Sequence, residues 1–213
     1  MSAPATESAA RADGAALGGL GYLRLIGLGA LIGIPAALVA AVFLALVHVV
    51  EDWLWTNLPE HLGDTQPPWY LLLGLPVVGA LVVVAARLLL PGDGGTSPLH
   101  GISATPTPWR YGPGVALAAV GTLGFGAVLG PEAPLIALGS VVGSLLTLVV
   151  RLDERSTAVM TTAGSFSAIS ALFGGPLVAG MLLVEGGLGM GTALVPLLLP
   201  GLVAAAVGYV LFL

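Results

Sequence analysis

The sequence predicts an all-α, polytopic membrane protein of tilted, broken and re-entrant helices, and three observations predict it. Of its 213 residues, 57% are hydrophobic and only 8% are charged, whereas a soluble domain carries about a quarter charged residues. The apolar residues lie in uninterrupted stretches, the first from Leu23 to Val50, long enough to cross about 30 Å of hydrocarbon. The 32 Gly and 16 Pro are set inside those stretches. Disordered chains share that excess but are poor in Leu, Val and Ile; membrane helices tolerate both residues where helices pack closely or break.

Residues 1–20, rich in Ala, Gly and Ser, read as a mobile cytoplasmic tail ahead of a membrane domain over 21–213. The apolar run after Arg24 is too long for the core of a cleaved leader, so the tail is expected to be retained. The first span, Leu23 to Val50, carries Pro35 as a kink point. Glu51, Asp52, Trp53 and Trp55 mark its end at an interface. A polar loop with four acids and no Arg over 51–68 leads to a second span, Trp69 to Leu90, with Arg87 near its end. Residues 91–112 are too polar for a span and too weakly charged for an ordinary loop, and read as re-entrant. Pro113 to Val150 holds one charge, Glu132, and divides into two helices at Gly130-Pro131. A Ser/Ala/Gly-rich helix over 156–172, a break over 173–176, a short helix ending at Glu185 and a final span over 191–213 complete the chain. With the N-terminus cytoplasmic, Arg24, Arg87, Arg110, Arg151 and Arg155 all fall at inner ends, as the positive-inside rule requires. The cell membrane is the expected location.

Composition removes several functions. There is no cysteine, so thiolate metal sites and thiol nucleophiles are absent. All six basic residues are Arg and none is clustered, which excludes nucleic acid as a partner. His48, His61 and His100 lack metal-ligand spacing and read as packing or interfacial residues. Glu132 and Glu185 have no histidine or metal-ligand partner at catalytic spacing, so the chain does not read as an enzyme and no cofactor is implied.

The chemistry concentrates in Gly130-Pro131-Glu132-Ala133-Pro134, a carboxylate at mid-membrane where a helix starts. Pro131 suits a first turn, where its missing N–H is unpaired in any case. The free amides and positive dipole end of the helix stabilise a carboxylate, or an inorganic anion in its place. Two readings stand side by side: Glu132 as a helix-capping acid facing a polar crevice, and Glu132 as a functional acid, the default for an ionisable group inside the membrane. Broken helices whose N-termini point at a midplane anion are a recurrent transporter device. Thr96, Ser97 and Pro98, and Gly174-Gly175-Pro176, open further helices in the same manner, with a plain N-cap as the alternative at Thr96 and Ser97. The small residues over 121–130 and 163–180 allow close helix packing.

GTLGFGAVLGPEAPLIALGSVVGSLL (121–146) followed by TTAGSFSAISALFGGPLVAGMLLVE (161–185) resembles the G-[KR]-E-G-P region and the A-x-F-N-x-P-L-A-G region of the CLC-type chloride channel and chloride/proton antiporter family, in that family's order and spacing. The resemblance covers about 95–185, with the flanking spans a looser fit. It implies one inverted-repeat half of the CLC fold, chloride or another small anion as the substrate, and a dimer. It implies that Glu132 is the gating glutamate, beside the anion-binding backbone of Gly130, Pro131, Ala133 and Pro134. Thr96 aligns with the anion-contacting serine of the family's G-S-G-I-P string, with Ser97 as the alternative. Pro131 replaces the usual Lys or Arg, and Ala133 a Gly. Glu185 is a candidate inner acid, but Gly186 stands where antiporters have a second acid, so weak or no proton coupling is expected. The second inverted half, with its G-x-F-x-P helix start and tyrosine hydroxyl, has no match here. The expectation is therefore a half-length channel or transporter that needs a second half-subunit, with a non-conducting structural or regulatory subunit, or a truncated gene product, as the alternative.

Overall fold

A computed structural model of the chain describes residues 19–64, 66–92, 107–187 and 195–211. The elements are α1 (Gly19–Asp52), a π-helical turn (Trp53–Asn57), α2 (Leu58–His61), α3 (Trp69–Leu89), a 3-10 turn (Trp109–Tyr111), α4 (Gly112–Leu123), α5 (Glu132–Val150), α6 (Glu154–Phe173), α7 (Pro176–Gly187) and α8 (Val195–Val210). Three stretches are long and apolar enough to cross a membrane: Gly19–His61, Trp69–Leu89 and Glu132–Val150.

The centre of the bundle is α6, which packs against α1, α5, α7 and α8. It is also rich in hydroxyls, an arrangement that apolar surroundings tolerate only if each hydroxyl finds an acceptor. Thr161 and Thr162 donate to carbonyls of their own helix. Three serines reach three different neighbours: Ser165 Oγ donates to Ile136 O of α5 at 2.8 Å, Ser167 Oγ to Gly33 O of α1 at 2.7 Å, and Ser170 Oγ to Ala205 O of α8 at 3.1 Å. No buried side-chain N or O among the described residues lacks a partner.

Such bonds to a backbone carbonyl require the helices to approach closely, and glycine permits it. A Cβ on Gly139 would overlap the carbonyl oxygen of Gly164, and one on Gly143 would lie 2.5 Å from Met160 O. The same holds for Gly29, whose Cβ would stand 2.8 Å from Pro200 O, and for Gly33 against Ala204 O. Leu135, Leu138, Phe43, Val47, Leu123 and Ala168 close one apolar cluster around the upper half of α5. Leu25, Ile32, Met160 and Leu197 form a second, against which Leu152 packs.

The bundle has two distinct ends. Leu25 shares a cluster with Leu152, which brings Arg24 and Arg151 to one end, and Gly92 lies against Tyr111, which brings the chain after Arg87 beside that after Arg110. Glu51, Asp52, Trp53 and Glu60 stand at the other end. Arg151 ends α5 in the left-handed conformation (φ 53), its N–H donating to Thr147 O. Asp153 then caps α6, accepting from Ser156 N–H at 3.4 Å.

Two boundaries differ from the sequence expectations. Residues 51–61 are not loop: the first helix runs unbroken through Pro35 to Asp52 and continues through the π turn to His61. Glu51 and Asp52 remain helical because they sit on the exposed face, within 4.0 and 3.7 Å of His48, and Pro59 falls in a first turn, where no donor is lost. The stretch 113–150 is divided by a linker, not a point, because the glycines at 124 and 126 end α4 seven residues before Pro131. The last helix is described over Val195–Val210, and the rest of the expected span, 191–194 and 212–213, lies outside the described residues. The tail over 1–18 and most of the 91–112 segment lie outside the described residues.

Gly143→Val, which drives a branched side chain into the Met160 carbonyl, is expected to lower stability by about 1–3 kcal/mol. Ser165→Ala, which removes a hydrogen bond at the same interface, is expected to cost under about 1 kcal/mol. Reversible unfolding in mixed micelles checks the order, and equal losses would show that hydrogen bonding contributes as much as backbone packing.

Candidate functional site

The segment that carries Glu132 begins where α4 ends. Gly124 N–H donates to Val120 O at 3.0 Å, Gly126 N–H to Leu123 O at 3.1 Å and Ala127 N–H to Thr122 O at 3.0 Å. The turn needs glycine at 126, whose φ is +91, a region that side chains with a Cβ avoid. Residues 126–130 are then non-helical and exposed until α5 starts at Glu132.

Pro131 is the N-cap of α5, and its carbonyl accepts from Leu135 N–H at 3.0 Å. A helix start normally presents several unpaired amides, but Pro131 and Pro134 have none. The amides of Glu132 and Ala133 are the donors left in this first turn. The half-buried Glu132 side chain turns back so that its carboxylate occupies the space a Cβ on Gly130 would need. The carboxylate thus lies beside its own helix start, where the dipole favours negative charge. Gly130, Pro131, Glu132, Ala133 and Pro134 are brought together in this one turn.

The remaining residues singled out from sequence lie elsewhere. Thr96 and Ser97 fall outside the described residues. Their described flanks touch: a Cβ on Gly114 would meet Pro91 O at 3.1 Å. Thr107 N–H also donates to Ser140 Oγ of α5 at 2.8 Å. Gly174 and Gly175 belong to the end of α6, not the start of α7. Gly174 is left-handed (φ 67), and both N–H groups turn back to Ser170 O. Pro176 opens α7, and Glu185 is exposed near the end of that helix. Between the two acids lies an apolar cluster of Phe166, Ile169, Ala179 and Ala205. Ile136, one turn after Glu132, and Leu182, just before Glu185, both pack on it.

Sequence reasoning missed two residues. Ser140 gave no signal, because a serine in an apolar helix is indistinguishable from any other until its partner is known. Trp55 was read as an interfacial aromatic. Its indole Nε1 in fact donates to Gly124 O, 69 residues on, at 3.0 Å.

The comparisons with known proteins bear on this geometry. A family model described as voltage gated chloride channel matches residues 96–213, more than half of the chain. YfeO of Escherichia coli is 31% identical over 156 residues, which cover 71% of this chain and 36% of that protein. The H(+)/Cl(-) exchange transporter ClcA of Vibrio vulnificus is 28% identical over 172 residues, 76% of this chain and 36% of that protein. The chain therefore spans little more than a third of the length of these curated relatives. Among solved structures, the crystal structure of a slow cyanobacterial Cl-/H+ antiporter matches with a TM-score of 0.67 at 20% identity, over 87% of this chain and 46% of that one. That likeness establishes the broken-helix fold, and with the family match and the apolar helices it marks a multi-pass membrane protein. On the family model's match over 96–213, the chain belongs to the voltage-gated chloride channel (CLC) family.

Proposed function

We propose that the chain forms one inverted-repeat half of an anion-conducting pore, that chloride is the anion, and that Glu132 is its gate. The observation that carries this reading is the position of the Glu132 carboxylate over Gly130, beside the amides of Glu132 and Ala133. A carboxylate and a permeant anion compete for the same donors and the same dipole. Swinging the side chain away would vacate the site. In this reading Thr96, or Ser97 next to it, supplies a hydroxyl, and the Gly174-Gly175-Pro176 break allows α7 to start within the membrane. Glu185 is the inner acid.

The rest of the pore would come from a second half, either more of the same polypeptide or a separate chain, and two such units would form the dimer. The shared end of Arg24 and Arg151 supports a cytoplasmic N-terminus in the cell membrane. A second reading, a non-conducting structural or regulatory subunit, draws on Pro131. That residue removes both the basic side chain usual beside the gate and one amide donor from the helix start.

Chloride efflux from proteoliposomes holding the chain, alone and together with a completing half, tests the proposal. Glu132→Ala is expected to speed passive efflux several-fold; no efflux from either protein, with folding shown separately, would sink transport by this chain alone. With Gly186 after Glu185, a chloride gradient is expected to drive little or no uphill proton movement, and robust acidification would refute that.

Gly130→Ala provides a gentler test. The three atoms nearest its added methyl all belong to the flexible carboxylate end of the Glu132 side chain, so stability is expected to stay within about 0.5 kcal/mol of wild type. The displaced carboxylate is expected to react faster with a water-soluble carbodiimide, and unchanged labelling would show that it does not rest over Gly130.

A further inference from the structure

We propose that Trp55 is a positioning residue for the gate: its indole holds the turn at Gly124–Gly126 from which the Glu132 segment is suspended. This rests on the reading of Glu132 as the anion's competitor and extends it to the regulation of that site.

Three observations converge on Trp55. Its Nε1 donates to Gly124 O at 3.0 Å, a bond between the first helical stretch and the end of α4. Its ring lies against Gly126, where a Cβ would stand 2.5 Å from Cζ2, so the indole covers the one linker residue with positive φ. Trp55 is also the middle residue of the π turn Trp53–Asn57. A π turn widens the helix at some cost in hydrogen-bond geometry and occurs most often at functional sites. Val50, ahead of that turn, presses on Gly124 from the same helix, its Cγ1 2.6 Å from where a Cβ would stand. Residues 126–130 are exposed, and the described hydrogen bonds their amides donate are local, Gly126 N–H to Leu123 O, Ala127 N–H to Thr122 O and Leu129 N–H to Ala127 O. Trp55 therefore anchors the linker at its upstream end, and Pro131 fixes it at the downstream end. The freedom of the five residues between them sets how far the Glu132 backbone moves when its side chain swings.

Trp53, two residues away, is a built-in control because it is largely exposed. The test is amide hydrogen exchange, resolved to single residues, on the full chain in nanodiscs with chloride or gluconate as the anion. Trp55→Phe keeps a ring on Gly126 and deletes the indole N–H. It is expected to speed exchange at Gly126, Ala127 and Leu129 about fivefold, the effect of losing one neutral hydrogen bond. It is also expected to weaken the slowing that chloride produces at the Glu132 and Ala133 amides. Trp53→Phe is expected to change neither, and Glu132→Gln, which removes the competing charge, to strengthen the chloride effect.

Wild-type exchange at 126–129 in Trp55→Phe overturns the positioning role. So does faster exchange there with an unaltered chloride effect at 132–133, because the anchor would then be structural alone. An unaltered chloride effect in Glu132→Gln overturns the underlying competition, and that failure is read from a different variant.

Discussion

The close approach of the α5 and α6 backbones is the constraint on which the rest of the structure depends. Gly139 and Gly143 meet Gly164 and Met160 with no room for a Cβ. In lipid no hydrophobic force drives helix against helix, so such contact, with the dispersion it gains, substitutes for one. It also brings Ser165 within reach of the Ile136 carbonyl, and the same proximity on the other faces of α6 serves Ser167 and Ser170. A helix of serines, threonines, alanines and glycines can therefore be the buried centre of an apolar protein.

The site inherits its geometry from that contact. Because the body of α5 is clamped, its first turn is held while the linker before it stays exposed. Glu132 sits at the junction, on a clamped helix but preceded by an exposed linker. Two prolines then thin the amide donors at this helix start to those of Glu132 and Ala133. Local sequence chemistry, not packing, sets how many amide donors the turn presents.

Much of this was legible along the chain. Glu132 identified itself as a single charge in a long apolar stretch, and Pro131 beside it marked a helix start. Gly174 followed by Pro176 marked the other break, since glycine accepts the left-handed turn and proline resumes the helix. Two kinds of feature were not legible. The acids at 51 and 52 resembled a loop because composition does not record which face of a helix they occupy. The Trp55 to Gly124 hydrogen bond spans 69 residues, and no periodicity or local motif reports a contact at that separation.

By itself the sequence determined membrane residence, the helical class, that the helices break before Glu132 and over 173–176, and the residue types at the helix starts. These follow from hydropathy, backbone freedom and missing N–H groups, all properties of residues and their nearest neighbours. The tertiary structure alone decided that the polar helix α6 lies at the centre, that the Glu132 carboxylate folds over Gly130, and that Trp55 grips the turn leading to it. Those outcomes depend on which surfaces meet in space, and backbone contact at a handful of glycines selects them.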